Sequence, residues 1–212
     1  MIQHKDHFHG SDLEKIEQIY GIQKEDIISF SANVNPLGIS PRMRRELAEK
    51  IDVVASYPDP EYTELRKHIA AYTRCLAEQV IVGNGCTELI SLFIQVLKPR
   101  EALIVSPTYS EYEREVRLSG GTVRYYALKE QNGFRLEPED FCGAFGEETS
   151  LVIICNPNNP TSTATEPEDM RAVLSRCRDR GIFVMIDETY AEFAPEDMSI
   201  SSTGLLNAFK NF

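Results

Sequence analysis

From residue 79 onward, the sequence alternates between short apolar runs and longer amphipathic stretches, and this alternation restricts the fold more than any other feature. The apolar runs are rich in Val and Ile, as strands are, whereas the stretches between them carry apolar residues at helical spacing. Such a pattern is typical of βα units wound around a largely parallel sheet. We therefore predict an α/β fold whose core is that sheet.

The pattern also gives bounds for the individual elements. Strands are predicted at Gln79 to Val82, Ala102 to Val105, Thr122 to Tyr126, Leu151 to Cys155 and Phe183 to Ile186. Helices are predicted at Asp12 to Tyr20, Pro41 to Ile51, Glu61 to Arg74, Thr87 to Leu97, Tyr109 to Ser119, Pro138 to Phe145 and Pro167 to Arg180. We expect Ser11 to cap the first helix and Gly21 to end it.

Composition excludes several classes of protein. Hydrophobic residues make up 42% of the 212 residues and charged residues 26%, as in soluble domains, and no apolar run reaches the roughly 18 residues of a membrane span. The formal net charge of -11 would repel a phosphodiester backbone, so nucleic acid is not an expected partner. The first residues lack the apolar stretch of a secretion signal, which favours the cytoplasm.

Cysteine and histidine usage does not predict a metal site. The chain has an odd number of cysteines and no C-x-x-C pair: Cys75, Cys86, Cys142, Cys155 and Cys177. This argues against both a disulfide framework and a zinc site, so we expect reduced thiols. The cluster His4, His7 and His9 could bind a metal, but histidines at this spacing in an N-terminal arm are more often merely solvated.

Three polar motifs each follow directly on a predicted strand. They are Gly83-Asn-Gly-Cys-Thr-Glu88, Asn156-Pro-Asn-Asn-Pro-Thr161 and Asp187-Glu-Thr-Tyr190. In open parallel α/β sheets, ligands bind outside the carboxyl ends of the strands. The three motifs are therefore expected to line one site.

Each motif has a ligand-binding and a purely structural interpretation. In the first, two glycines precede a helix whose free N–H groups could bind a phosphate, although an ordinary βα turn has the same form. The second is a rigid double turn that would aim Asn159 at one point, or it is only a turn. Asp187 follows the apolar run 182–186 and needs a partner, which could be a cationic ligand atom, a salt bridge or a helix cap.

In this order, the three motifs resemble those of the class I and II aminotransferases, which are fold-type-I enzymes that depend on pyridoxal 5'-phosphate (PLP). Asn158-Asn-Pro-Thr161 resembles the family's Asn-Asn-Pro-Thr-Gly, with Ser162 in place of the glycine. The resemblance implies that Asn159 hydrogen-bonds the 3'-oxygen of the cofactor.

The third motif resembles the family's Asp-x-x-Tyr and carries the residues expected to act in catalysis. The resemblance implies that Asp187 pairs with the ring nitrogen of PLP and that Tyr190 reaches its 3'-oxygen. The residue types suit this chemistry, because PLP withdraws electrons effectively only while its ring nitrogen is protonated, and a neighbouring carboxylate favours that form.

The resemblance implies further cofactor contacts at four positions and a homodimer. Gly85, Cys86 and Thr87 match the turn that binds the PLP phosphate, and Tyr109 matches the aromatic residue that stacks on the ring, although it could be an ordinary core aromatic. Tyr57 matches a residue that reaches the PLP phosphate of the neighbouring subunit, which is why a homodimer is expected.

Within the family, the segments 30–38, 57–60 and 83–88 resemble histidinol-phosphate aminotransferases and threonine-phosphate decarboxylases. Both groups act on phosphorylated amino compounds, so a small substrate of that kind is expected. By motif position, Asn35 would contact substrate, and His9 would contact the substrate phosphate if the second group applies. Transamination and decarboxylation both stay open, and we place transamination first.

The resemblance covers nearly the whole chain but only part of such an enzyme. Residues 1–40 are expected to form an arm and linker that belong to a small domain. Residues 41–212 are expected to form the N-terminal portion of the three-layer α/β/α PLP-binding domain. The resemblance implies that a Ser/Thr-x-Lys or Ser-Lys motif with the Schiff-base lysine, the rest of the large domain and a C-terminal small domain lie beyond these residues, and Lys210 lacks that motif. Without that lysine, these 212 residues are expected to be inactive alone.

Two interpretations from other classes compete with an enzyme of this family. The segment 182–188 matches the apolar strand and Asp-Glu pair that hold magnesium in nucleotide-binding ATPases, but the sequence has no Gly-x-x-x-x-Gly-Lys-[Ser/Thr] motif. A noncatalytic PLP-binding or regulatory fragment is the other alternative, which the missing lysine favours. It ranks lower because every cofactor residue expected in the covered part is present.

Overall fold

The computed structural model describes residues 12–30, 33–195, 198 and 200–212. The chain forms two compact units, one that ends at Pro58 and one from Asp59 to Phe212. The sheet and the three motifs lie in the second unit. The division that we expected after residue 40 stays a prediction.

The described part of the first unit contains two α-helices, α1 (Leu13–Tyr20) and α2 (Pro41–Glu49), whose ends are fixed by local contacts. The N-cap of α1 is Asp12, whose Oδ1 accepts a hydrogen bond from the Lys15 N–H at 3.0 Å, so the helix begins one residue later than expected. The expected cap, Ser11, lies outside the described residues. Gly21 ends the helix in the left-handed conformation, as predicted.

The second helix is shorter than predicted. The Ser40 hydroxyl accepts from the Met43 N–H at 3.1 Å, so α2 begins at Pro41. It ends at Glu49 rather than at Ile51, because the chain tightens into a 3-10 helix over Ile51–Ala55.

The second unit is built on a four-stranded sheet. Its strands are β1 (Glu101–Ser106), β2 (Thr122–Ala127), β3 (Thr149–Cys155) and β4 (Phe183–Asp187). Their order is β2-β1-β3-β4, and all three pairings are parallel, which confirms the predicted α/β class. The carboxyl ends of all four strands therefore lie at one edge.

Helices cover both faces of the sheet. The helices of this unit are α3 (Thr63–Thr73), α4 (Cys86–Leu97), α5 (Glu111–Leu118), α6 (Pro138–Gly143) and α7 (Pro167–Asp179). Alternate residues of β1 enter different clusters, because side chains alternate across a strand: Ala102 and Ile104 pack with α4 and α5, whereas Leu103 and Val105 pack with α6 and α7. The three-layer arrangement is thereby confirmed.

One predicted strand is wrong. Residues 79–82 do not pair with the sheet; Ala77–Gln79 forms a 3-10 helix and the residues after it are irregular. A strand needs a neighbour for its backbone hydrogen bonds, and the apolar run 80–82 has none in the described part of this unit. Val80 is buried without belonging to a strand.

The helices of the second unit differ from the prediction mainly at their ends. The fifth helix begins at Glu111 instead of Tyr109, because Pro107 and Thr108 are held in a loop by contacts to Asn158. The fourth helix begins at Cys86, one residue earlier than predicted. Among the described residues, no helix combines the length and hydropathy that a membrane crossing requires.

Candidate functional site

The turn before α4 has the form expected of an anion-binding loop. Gly85 is the N-cap and has φ of 84°, a left-handed region in which glycine carries no steric penalty. A Cβ atom on Gly83 would lie 2.8 Å from Glu88 Oε2 and 2.8 Å from Leu89 Cδ2, so a larger residue here would displace these two side chains. The Asn84 N–H donates to Glu88 Oε2 at 2.5 Å and closes the turn.

Because of this turn, the N-terminus of α4 opens toward the carboxyl edge of the sheet. The first N–H groups of a helix have no partner within the helix, and they carry the positive end of its dipole. Cys86 and Thr87, which form the first turn of α4, are both exposed. The loop can therefore accept an anionic group.

Asp187, the last residue of β4, is the buried acid of the site. It is 8% exposed, and four donors approach its carboxylate. Its Oδ1 accepts from the Thr189 N–H at 3.0 Å and from the Thr189 hydroxyl at 2.5 Å. Its Oδ2 accepts from the Tyr112 hydroxyl at 2.7 Å and, weakly, from the Cys86 thiol at 3.7 Å. Within residues 59–195, 198 and 200–212, no basic side chain pairs with it.

Tyr112 is the site residue that the sequence did not reveal. It is 1% exposed on α5, and its ring meets the ring of Tyr109 edge to face, with centroids 5.5 Å apart and planes at 82°. Burial, and next the nearby charge of Asp187, raise the pKa of the Tyr112 phenol well above its usual range, so the hydroxyl stays protonated and remains a donor. The available signal was spacing: Tyr112 follows Tyr109 by three residues in a segment predicted to be helical, which placed both on one face.

Two thiols border the same carboxylate. Cys86 contacts Asp187 directly, and Cys155 is its register partner on β3. Burial, and next the charge of Asp187, raise the pKa of Cys86. Burial is also the main cause that raises the pKa of Cys155. Both thiols are therefore neutral near pH 7, and all five cysteines are free.

Asn158 joins the loop after β1 to the loop after β3. Its Nδ2 donates to the Pro107 carbonyl at 2.9 Å and to the Thr161 hydroxyl at 2.8 Å, while its Oδ1 accepts from the Thr108 hydroxyl at 3.1 Å. Asn158 is buried, whereas the next residue, Asn159, is partly exposed. Asn158 was not predicted as a site residue, but its side chain fixes the loop that carries Asn159, which was.

Ser162, which stands in place of the glycine of the family's motif, has a left-handed backbone conformation. Its φ is 57°, in the left-handed region that favours glycine. A serine in this conformation carries a local conformational cost.

Tyr190 follows Asp187 by three residues at the same edge. Its ring lies 6.2 Å from that of Phe193, with the planes at 54°, where the 3-10 helix Ala191–Phe193 begins. The side chain is partly exposed. Its expected role toward the cofactor stays a prediction.

The remaining predicted residues lie elsewhere in the chain. Asn35, in the first unit, closes a turn: its Oδ1 accepts from the Leu37 N–H at 3.0 Å and its Nδ2 donates to the Gly38 carbonyl at 3.2 Å. Tyr57, in the same unit, is fully exposed. His9 lies outside the described residues, as do His4 and His7. The roles of Asn35, Tyr57 and His9 therefore stay predictions.

The donors and acceptors of this edge fit a molecule such as PLP, with an anionic phosphate at one end and a cationic ring nitrogen elsewhere. The turn at Gly85 offers N–H groups to an anion, and Asp187 is a buried acid without a basic partner in the described part of its unit. The contact between Cys86 and Asp187 brings both features into one site.

Comparison with known proteins gives a consistent result. The family model for aminotransferase class I and II matches residues 25–210. The chain is 32% identical over 203 residues to a threonine-phosphate decarboxylase of Salmonella typhimurium, covering 96% of this chain and 54% of that protein. It is 31% identical over 199 residues to a histidinol-phosphate aminotransferase of Methanococcus maripaludis, covering 92% and 53%. The chain thus spans about half the length of the curated relatives it matches.

Solved structures agree with the sequence relatives. A histidinol-phosphate aminotransferase from Clostridium acetobutylicum superimposes with a TM-score of 0.75 at 30% identity, over 86% of this chain and 53% of that one. An L-threonine-O-3-phosphate decarboxylase from Porphyromonas gingivalis shares the fold, with a TM-score of 0.68 at 23% identity, over 80% and 49% of the two chains. Enzymes of this family depend on PLP. The chain belongs to the aminotransferase class I and II family.

Proposed function

We propose that this chain carries the PLP-binding part of an enzyme that acts at the Cα of a phosphorylated amino compound, as a transaminase of the histidinol-phosphate aminotransferase type. The observation that carries the proposal is Asp187: a buried carboxylate with no basic partner in the described part of its unit, next to the open end of α4. An unpaired buried charge is costly, so a cationic ligand atom at this position would offset that cost.

The residues of this edge divide the binding of PLP between them. The N–H groups at the start of α4 would bind the phosphate, and Asp187 would hold the proton of the ring nitrogen. Tyr109 would cover one face of the ring, while Asn159 and Tyr190 would bind the 3'-oxygen. When bound, PLP supplies an electron sink for the bonds at Cα, and its strength depends on that ring proton.

A threonine-phosphate decarboxylase is the alternative within the family. Its support is the relative from Salmonella typhimurium, which is similar over 96% of this chain. A phosphorylated amino substrate is common to both assignments, and Asn35 and His9 are the residues we propose for its recognition. The reaction branch depends on whether the proton or the carboxylate leaves Cα.

We further propose a homodimer in which Tyr57 of one subunit reaches the PLP phosphate of the other, and a location in the cytoplasm. The full exposure of Tyr57 supports a role in contacts beyond its own unit. A noncatalytic PLP-binding fragment remains the alternative of another class. It predicts PLP binding without turnover in the complete gene product.

Equilibrium binding of PLP to this chain tests the proposal. We expect saturable binding followed by the absorbance of the cofactor, with pyridoxal, which lacks the phosphate, binding at least tenfold more weakly. Equal affinity for PLP and pyridoxal would contradict phosphate binding at the start of α4, and absence of PLP binding would contradict the proposal. Assays of the complete gene product, for amino transfer from histidinol phosphate and for release of CO₂ from threonine phosphate, decide the branch.

A further inference from the structure

The buried contact between Tyr112 and Asp187 has a chemical role within the proposed function. We propose that Tyr112 is a positioning residue that acts through Asp187. Its hydroxyl donates a hydrogen bond to Oδ2, and this hydrogen bond keeps the proton that Asp187 shares with the cofactor on the ring nitrogen. The proposal rests on PLP binding at this edge. It adds a residue outside the three motifs that suggested the site.

The proton between Asp187 and the ring nitrogen of PLP has two possible positions. A pyridine nitrogen beside a carboxylic acid can share a proton in two ways, as pyridinium with carboxylate or as pyridine with carboxylic acid. Burial alone favours the neutral pair, because it penalises charge. Asp187 is 8% exposed, so hydrogen bonds from protein groups, rather than water, surround its carboxylate. Hydrogen bonds donated to the carboxylate favour the charged pair.

The two carboxylate oxygens of Asp187 have different hydrogen-bond donors. Thr189 supplies two donors, and both reach Oδ1. On Oδ2, Tyr112 donates at 2.7 Å, and the other contact is the Cys86 thiol at 3.7 Å, which is a weak donor. A carboxylate oxygen has two acceptor directions. A cationic N–H can therefore replace the thiol on Oδ2 while Tyr112 keeps the other direction.

The groups that face the Asp187 carboxylate are Cys86 from α4, Tyr112 from α5, Cys155 from β3 and Thr189 from the loop after β4. All of these groups are neutral near pH 7, so the field at Oδ2 is set by hydrogen-bond donors. Tyr112 is the strongest donor of this set on that oxygen, and its burial keeps it protonated.

The chain offers a matched tyrosine for comparison. The Tyr126 hydroxyl donates to Asp140 Oδ2 at 2.8 Å, a nearly equal distance, but that carboxylate is exposed and also pairs with Lys129 at 2.9 Å. Replacing Tyr126 with Phe removes the same atom from the same kind of contact on another element. It controls for the general cost of losing a tyrosine hydroxyl.

Nitrogen NMR of bound PLP, labelled with ¹⁵N in the ring, tests the proposal. In the wild type near pH 7, we expect the chemical shift of a protonated ring nitrogen. In Tyr112→Phe, the ratio of the two proton positions should move toward the neutral pair by roughly tenfold, which is the effect of about one pK unit. Tyr126→Phe should match the wild type. A shift in Tyr112→Phe equal to that of the wild type would overturn the proposal.

A second variant covers the case in which Tyr112→Phe does not fold. Thr189→Ala removes one donor from Oδ1 at an exposed position, so the fold is not at risk. We expect a change of the same sign and smaller size, because a donor to either oxygen favours the charged pair. An unchanged nitrogen signal would overturn the premise that donated hydrogen bonds hold the proton on the ring nitrogen, and the role of Tyr112 with it. If the wild type does not bind PLP, the proposed function itself fails. If it binds PLP and neither variant differs, only the role of Tyr112 fails.

Discussion

The Cys86 sulfur lies 3.7 Å from Oδ2 of Asp187, although the two residues are 101 positions apart in the sequence. This contact joins the first turn of α4 to the last residue of β4. It brings an anion-binding helix end and a buried acid into one site, and a ligand with a phosphate and a cationic nitrogen uses both.

Gly83→Ala should weaken PLP binding. The added Cβ would meet Glu88 Oε2 and Leu89 Cδ2 at 2.8 Å, so the Glu88 carboxylate, which accepts from the Asn84 N–H and closes the turn before α4, must shift. We expect at least a fivefold increase in the dissociation constant, equivalent to about 1 kcal/mol. Gly143→Ala is the control, because a Cβ there meets nothing within 4 Å. Equal affinities of the two variants would show that the shape of the turn does not matter.

Ser162→Gly should stabilise the protein. Ser162 has φ of 57°, and a non-glycine residue in the left-handed region costs about 1–2 kcal/mol. Glycine removes this steric cost but loses more conformational entropy on folding, so the net gain is smaller. We expect a gain of about 0.5 kcal/mol in the free energy of unfolding, measured with urea. Ser110→Gly, at φ of -70°, should give no gain. A loss at residue 162 would contradict the assignment of strain.

Asn158→Ala should destabilise the fold and loosen the site. Asn158 is 6% exposed and connects two loops through three hydrogen bonds, so its removal leaves buried polar groups unpaired. We expect a loss of about 1–3 kcal/mol in the free energy of unfolding. Asn207→Ala, at an exposed position, serves as the control and should change it by less than about 0.5 kcal/mol. A loss of the same size in both variants would contradict the role of Asn158.

Alkylation of Cys86 should be slow near pH 7 and should be blocked by PLP. The thiolate is the reacting form, and the raised pKa of Cys86 lowers its fraction below that of an ordinary thiol at neutral pH. The rate should therefore keep rising with pH beyond the range in which glutathione levels off. Mass spectrometry after iodoacetamide treatment measures modification at Cys86, with Cys75 as an internal reference outside the site. Protection of Cys75 but not of Cys86 by PLP would contradict the proposed position of the phosphate.

The sheet was predictable from sequence because β1, β3 and β4 are mainly apolar runs and β2 is rich in β-branched and aromatic residues, with amphipathic helices between them. The segment 79–82 has the same composition but forms no strand, because strand formation depends on a neighbour that a local pattern does not reveal. Asp187 was selected because a carboxylate that follows a buried strand needs a partner and because Asp187-Glu-Thr-Tyr190 resembles the family's Asp-x-x-Tyr, and its role toward the cofactor stays a prediction. Tyr112 was missed because a tyrosine on the buried face of a helix is ordinary, and only its contact with Asp187 distinguishes it.

Helix ends show the same limit. The cap of α1 is Asp12, and the sequence Ser11-Asp12 offers two adjacent capping residues between which local propensity does not decide. The start of α5 depends on Asn158, which is distant in sequence and holds Pro107 and Thr108 in the preceding loop. Local patterns thus predict that an element exists, whereas tertiary contacts decide where it begins.

The most direct test of the account compares PLP binding by the wild type and by Asp187→Asn. The substitution keeps the size of the side chain and removes its charge, so the affinity for PLP near pH 7 should fall at least tenfold, equivalent to about 1.4 kcal/mol. Asp179→Asn, at an exposed position at the end of α7, should bind as the wild type does. Unchanged affinity of a folded Asp187→Asn protein would contradict the claim that this buried acid receives the cationic ring of the cofactor.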